Sequence, residues 1–513
     1  MLNSIKQVST GIKSLDAIMR GGFTADRLYL IEGYPGTGKT TLALQFLLSG
    51  ASLGERGLYV TLSETHEEIE EIAASHGWSL EGIDIHELVD QEELQQRQAQ
   101  YTMFEPAEVE LGSTIERILK KVESINPTRV VFDSLSEMRL LSQGPLRYRR
   151  QILALKQFFV GRGCTTLLLD DKSGEHPHDD NDQHLQSIAH GVIRLEQQLN
   201  NYGTEQRHLR IIKHRGRSFI GGKHDVVLEE GGMRVYPRKS TELTESQPTG
   251  ETIRSGNEPL DQLLGGGLMA GTSTLLLGPA GVGKSSTAMQ FAVAAAARGE
   301  RAVFFSFEES RHAMLARAAG MGFRLREYLE TGLIEILDFI PGETTPAEFG
   351  AKIREAVKPD DKGRQVRIVT IDSLNGYLNS MPHEKYLIIQ LNDNLQFLNS
   401  QGIVSFLVSA QHGMVGQLIN TPIDASYLAD NVLLFRYFET SGEIRQAISV
   451  VKKRTGAHER TIREFRLCSK GIEIGRPLRD FHGVLTGTPR YSGPDSDLLE
   501  RGESIFGGNG GNR

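Results

Sequence analysis

The sequence predicts an α/β protein in which one domain is written twice, each copy a mostly parallel sheet flanked by helices. Two observations predict this. Short apolar runs alternate with stretches of helical period, and the whole pattern then recurs along the chain. The runs LYLIEG, GLYVTL, RVVFDSL and TTLLLD have the length and composition of strands buried on both faces. TTLALQFLLSGASL carries its apolar residues at helical spacing. Strands alternating with helices build a parallel sheet covered on both sides.

The recurrence is direct. STGIKSLDAIMRGGFTADRLYLIEGYPGTGKTTLALQF aligns without a gap on RSGNEPLDQLLGGGLMAGTSTLLLGPAGVGKSSTAMQF. Gly11 falls on Gly256, Asp16 on Asp261, Gly33 on Gly278 and Lys39 on Lys284, and the same register holds at Glu64 and Glu309. Further along, Asp133 pairs with Asp372 and Lys213 with Lys452. A repeat of this size is a whole domain rather than a solenoid turn. The expected organisation is a first domain over 1–238, a linker over 239–250, a second domain over 251–489 and a flexible tail over 490–513. The linker is polar and rich in Ser, Thr, Glu and Pro, and the tail ends in the Gly-rich GGNGGNR.

Bulk composition agrees. A chain of 513 residues exceeds one ordinary core, and 39% hydrophobic with 24% charged residues is a globular balance. Cys164 and Cys468 lie in apolar stretches and read as reduced core residues. MLNSIKQVSTG lacks the apolar stretch of a signal peptide, and runs such as IVSFLV are too short to cross a bilayer. A cytoplasmic protein without membrane association is expected. A net charge of −8 argues mildly against constitutive nucleic-acid binding.

GYPGTGKT (Gly33 to Thr40) and GPAGVGKS (Gly278 to Ser285) both fit G-x-x-x-x-G-K-[ST]. Glycines such as Gly36, Gly38, Gly281 and Gly283 let backbone N–H groups close around phosphates, and the following helix adds its positive end. Lys39 and Lys284 reach the β- and γ-phosphates, while Thr40 and Ser285 place a hydroxyl on magnesium. Thr41 and Ser286 follow as further nucleotide contacts. Two such motifs in register, each after an apolar strand and before a helix, predict two sites for ATP and Mg2+.

Downstream, an apolar strand ends at Asp133 in RVVFDS and at Asp372 in RIVTIDS. A carboxylate there can hold magnesium across the P-loop; the alternative is a helix cap. The next acidic positions are Glu64 in VTLSET, and Glu308 with Glu309 in FFSFEES; Ser63 stands where repeat two has Glu308. These carboxylates suit activation of water or a hydroxyl, and the alternative is a charged N-cap for the helix that follows. Hydrolysis in repeat one is expected to be slower or differently organised. Late in each repeat, LRIIKHRGRSF and ISVVKKRTGAH place Lys213 with Arg215, and Lys452 with Arg454, on one strand face. Paired cations far along the chain from the P-loop suit γ-phosphate stabilisation from a neighbouring subunit; a charged edge strand is the alternative.

With these residues in place, the chain resembles the KaiC family, tandem RecA-like P-loop ATPases that include the cyanobacterial clock proteins. The likeness spans nearly the whole length. It rests on STGIKSLD-x-x-x-x-GG, both P-loops, the FEES segment, the paired K-x-R strands and FHGVLTGTP. The resemblance implies a two-tiered hexamer with ATP at subunit interfaces, slow hydrolysis in the first ring and serine/threonine autokinase activity in the second. It further implies Kai-like or other signalling partners and a timing or signalling role. The family phosphorylates two adjacent hydroxyl residues; here DASYLADNVLLF matches Ser426 to the first position and puts Tyr427 in place of the threonine. An ordered two-site cycle is therefore in doubt, whereas a single site on Ser426 remains. His458 matches a family position near the interface phosphates, and Phe219 occupies its place in repeat one. The rival readings are an ATP-gated scaffold without kinase activity and a DNA-dependent RecA-like motor.

The stretch DDKSGEHPHDDNDQH over 170–184 crowds carboxylates and histidines without any standard zinc spacing, and it reads as a solvated acidic loop.

Overall fold

The computed structural model describes residues 6–87, 107–142, 145–172, 181–198, 204–238, 250–340, 342–380, 387–411, 425–440, 442–485 and 490–491. The chain divides into two compact units, Met1–Lys239 and Ser240–Arg513. Each is built on a nine-stranded sheet, counted among the described residues. The expected linker over 239–250 lies outside the described residues except at its last position, and so does nearly all of the tail.

In the first unit the strands are β1 (Leu28–Gly33), β2 (Gly57–Thr61), β3 (Ile83–Glu87), β4 (Arg129–Asp133), β5 (Thr165–Asp171), β6 (Gly191–Gln198), β7 (Gln206–His214), β8 (His224–Glu229) and β9 (Gly232–Tyr236). Their order in space is β9-β8-β7-β6-β1-β5-β4-β2-β3. β1 lies centrally, parallel to β5 and β6, and β7 joins antiparallel to β6. The second unit runs β10 (Ser273–Gly278), β11 (Arg301–Ser306), β12 (Ile334–Asp338), β13 (Val366–Asp372), β14 (Val404–Ala410), β15 (Asn431–Thr440), β16 (Glu443–Lys453), β17 (Arg463–Cys468) and β18 (Gly471–Pro477). It repeats the same order, β18-β17-β16-β15-β10-β14-β13-β11-β12. These are two tandem RecA-like domains.

The central strands are buried along their whole length because helices cover both faces. Tyr29, Ile31, Val131 and Leu167 join one apolar cluster of the first unit, while Leu28, Leu30, Val130 and Phe132 join the other. Alternate residues of one strand feed opposite layers, as the pleat requires. The second unit divides Leu276 and Ile368 from Leu275 and Val369 in the same way.

Asp16 and Asp261, singled out by the repeat, are structural. Asp16 accepts from Thr10 N at 2.8 Å and Ser9 Oγ at 2.6 Å; Asp261 accepts from Ser255 N at 2.8 Å and Ser255 Oγ at 2.7 Å. Cys164 and Cys468 are buried free thiols. Among the described residues no helix is long and apolar enough to cross a membrane.

Candidate nucleotide sites

Parallel β1 ends at Gly33, and the chain turns through the glycine-rich loop into the helix Lys39–Ala51; Gly278 and the helix Lys284–Ala297 repeat this. Gly36, Gly38, Gly281 and Gly283 all hold positive φ, between 75° and 103°, which a side chain would strain. Gly38 and Gly283 are the N-caps, and neither supplies a side-chain acceptor. The first N–H groups of these helices are thus left to bind an anion. The neighbouring helices differ. Thr65 caps His66–Ser75 in a capping box with Glu68, and Ser310 caps Arg311–Gly320. Neither Glu64 nor Glu309 is therefore the cap that the sequence left as an alternative.

Lys39 Nζ donates to Gly33 O at 3.0 Å, Tyr34 O at 2.9 Å and Asp171 Oδ1 at 2.7 Å. Lys284 Nζ donates to Gly278 O at 2.9 Å and Pro279 O at 2.6 Å. Burial pulls the Lys284 ammonium down to about 8, against the opposing pull of Asp372 and Glu308.

Asp133 and Asp372 end β4 and β13 beside the P-loops, and burial raises the pKa of both. Thr40 Oγ1 lies 3.5 Å from Asp133 Oδ2, and Ser285 hydrogen-bonds Asp372. Neither aspartate is a helix cap: Ser134 precedes the helix Leu135–Leu141, and Ser373, whose Oγ accepts from Gly376 N at 2.9 Å, precedes the helix Leu374–Ser380. The two differ in one partner. Tyr59 donates its phenol to Asp133 Oδ2 at 2.5 Å, whereas repeat two has Phe304 there and Asp372 Oδ2 is buried without a hydrogen-bond partner.

The acidic positions also diverge. Glu309 is held by Arg317, while Glu308 is exposed and couples electrostatically to Lys284. Gly376 makes room for it: a Cβ there would stand 2.7 Å from Phe307 Cβ and 3.0 Å from Glu308 Cγ. Glu64 is half-buried, its Oε2 has no hydrogen-bond partner among the described residues, and Ile72 stands at the place of Arg317. Burial pushes its carboxyl up to about 7, with Asp133, Glu68 and Asp171 adding to the rise.

The K-x-R strands are not edges. β7 lies between β6 and β8, and β16 between β15 and β17, so protection of an exposed edge does not explain their charge. Lys213 Nζ bonds Gln186 O at 2.5 Å and Ala189 O at 2.8 Å, and Arg215 bonds Ser187 O at 2.7 Å. Lys452 Nζ bonds Ser426 O at 2.8 Å and Ala429 O at 2.7 Å; Arg454 reaches Tyr427 O at 3.4 Å and Asp430 Oδ1 at 3.2 Å. All these carbonyls lie just before β6 or β15, at the end of the sheet away from the P-loop.

Residues 8–240 and again 253–479 match the family described as ATPase: KaiC. The chain belongs to the KaiC family. It is 27% identical over 510 residues to the circadian clock protein KaiC3 of Synechocystis sp., covering 98% of both chains. It is 28% identical over 489 residues to the circadian clock oscillator protein KaiC of Thermostichus vulcanus, spanning 94% of this chain and 92% of that one. Against the protein of the same name from Synechococcus elongatus it is 28% identical over 491 residues, 95% of this chain and 92% of that. Membership makes it a nucleotide-binding P-loop ATPase.

Among KaiC-family positions, Ser426 and Tyr427 sit in a short 3-10 turn, Ser426 half-buried and Tyr427 57% exposed. Register pairs Asn431 with Thr274 and Gly191 with Tyr29, so the counterpart of Ser426 is Gln186 and that of Tyr427 is Ser187. His458 is half-buried, and Phe219 packs on the core of its own unit. Sequence reasoning missed Tyr59, Arg317 and Asp171. It placed Asp170 and Asp171 in an acidic loop, but both belong to β5, where Asp170 takes Arg139 through both oxygens. Most of the remainder, 173–180, lies outside the described residues. The parallel pairing of Gly33 with Asp171, which brings that carboxylate to the P-loop, exists only in the folded sheet.

Proposed function

We propose that this chain is a KaiC-type ATPase that assembles as a two-tiered hexamer, with ATP and Mg2+ at subunit boundaries and autokinase activity on Ser426. One observation carries the reading. In each unit the P-loop follows one end of the central strand, while the K-x-R cations sit at the other. A six-residue strand separates them by roughly 20 Å. That exceeds the reach of a lysine or arginine, so Lys213, Arg215, Lys452 and Arg454 can serve only a nucleotide held by a neighbour. Ser426 lies at the same far end, so its phosphate donor is also next door.

Thr40 with Asp133, and Ser285 with Asp372, fit magnesium. Among the described residues the buried Asp372 Oδ2 has no hydrogen-bond donor, the state of a carboxylate that a hydrated cation would satisfy. Magnesium there supplies charge neutralisation for the β- and γ-phosphates. Lys39 or Lys284, the loop N–H groups, and Thr41 or Ser286 orient the nucleotide. His458 approaches the phosphates from the neighbouring subunit. For autophosphorylation, Ser426 Oγ forms a bond to the γ-phosphorus as the bond to the β-bridging oxygen breaks and ADP leaves. The serine proton passes to Glu308, the carboxylate left open beside Lys284, while Glu309 holds its helix through Arg317. In repeat one water replaces the serine and Glu64 is the available base. That the relatives are circadian clock proteins supports a timing or signalling role with protein partners.

The test is incubation with magnesium and γ-labelled ATP, then mass-spectrometric mapping. Label on Ser426 is expected and should vanish in Ser426→Ala. Mixing Ser426→Ala with Lys284→Ala chains should restore label on the Lys284→Ala chain, because donor and acceptor lie on different copies. Hydrolysis without protein-bound phosphate sinks the kinase reading and leaves an ATP-gated scaffold.

A further inference from the structure

Asp171 ends β5 directly across from Gly33 in the sheet register. Its Oδ1 meets Lys39 Nζ at 2.7 Å and its Oδ2 accepts from Ser136 Oγ at 3.2 Å. An ammonium carries three N–H donors. In repeat one, Gly33 O, Tyr34 O and Asp171 take all three. In repeat two the register partner of Gly278 is Ala410, which has no acceptor in its side chain, and two loop carbonyls hold Lys284.

We propose that Asp171 sets the nucleotide affinity of the first site by competing with the terminal phosphate for Lys39. A polyphosphate entering repeat one must displace a carboxylate of its own charge sign, whereas in repeat two, among the described residues, no carboxylate is ion-paired with Lys284, and Asp372 and Glu308 act on it without a direct bond. Two anions beside one cation in a half-buried site repel as well as compete. The side chain of Asp171 is 35% exposed, so it can rotate into water and the effect is a graded weakening rather than a block. Asp171 therefore raises the ATP concentration at which repeat one fills. Nucleotide binding by the P-loops is the only premise; phosphorylation of Ser426 plays no part.

The experiment is a titration of the full chain with a fluorescent ATP analogue and magnesium, on a Lys284→Ala background that leaves repeat one with the intact P-loop lysine. Asp171→Ala copies the Ala410 arrangement; Asp171→Asn removes the charge and keeps the shape. Both should lower the Kd of repeat one by about three- to tenfold. The converse, Ala410→Asp on a Lys39→Ala background, should raise the Kd of repeat two by a similar factor. An unchanged or raised Kd in Asp171→Asn overturns the proposal even where Asp171→Ala folds poorly.

Discussion

Arg317 grips both oxygens of Glu309, with Nε to Oε1 at 3.1 Å and Nη2 to Oε2 at 2.6 Å, and its Nη1 reaches Ser286 Oγ at 3.0 Å. A bidentate pair fixes geometry as well as charge. It ties the helix Arg311–Gly320 to the P-loop helix and engages both oxygens of Glu309, leaving Glu308 as the exposed carboxylate. Arg317→Leu should lower the stability of the second unit by about 2 kcal/mol, measured by urea unfolding. It should also release Glu309, so a Glu308→Gln chain should recover activity when Arg317→Leu is added.

Glu64 makes repeat one pH-sensitive. Its carboxyl rises from 4.5 to about 7, so between those values the folded chain holds more protons than the unfolded one. This contribution to stability is present below pH 4.5 and is lost as pH rises to about 7. Glu64→Gln should therefore raise the melting temperature of the first unit at pH 8 and have little effect at pH 4.5. An equal shift at both pH values would show that desolvation of the charged form is not the cause.

Lys284 should couple nucleotide binding to protons. Burial lowers it from 10.5 to about 8, so near that pH a share of the free chains lacks this charge. A phosphate on Nζ favours the ammonium, and binding must then take up protons. Calorimetry at pH 8 in buffers of different ionisation enthalpy, on a Lys39→Ala background, should show uptake that disappears at pH 6.5.

Tyr59→Phe copies repeat two. It removes the 2.5 Å bond to Asp133 and leaves Thr40 at 3.5 Å as the remaining side-chain donor. The first unit should lose about 1–3 kcal/mol in urea unfolding, because Asp133 is buried and keeps its desolvation cost. An unchanged midpoint would mean that water replaces the phenol at no cost.

Lys452 clamps the segment that carries Ser426 through the carbonyls of Ser426 and Ala429. Lys452→Met should speed amide exchange over 427–431 by about tenfold while leaving exchange in β10 unchanged. Equal protection in both proteins would assign the order of this turn to other contacts.

Much was legible in one dimension. The duplicated P-loops, the aspartates after RVVF and RIVTI, and the two-domain α/β pattern are local in sequence, because a parallel strand, a glycine turn and a helix start each follow from neighbouring residues. The approach of Asp171 to Lys39, of Tyr59 to Asp133, and of Lys452 to Ser426 O was not. Each joins residues from different strands, and only the crossover order of the sheet and its register bring them within bonding distance. Likewise, the K-x-R pattern alone left an edge strand open, and the positions of β7 and β16 inside their sheets removed it. Sequence by itself determined the family, the tandem α/β fold and the P-loop ATPase motifs. Tertiary structure decided which charges are already spent within each domain, because burial and partnership depend on neighbours that the linear order does not name.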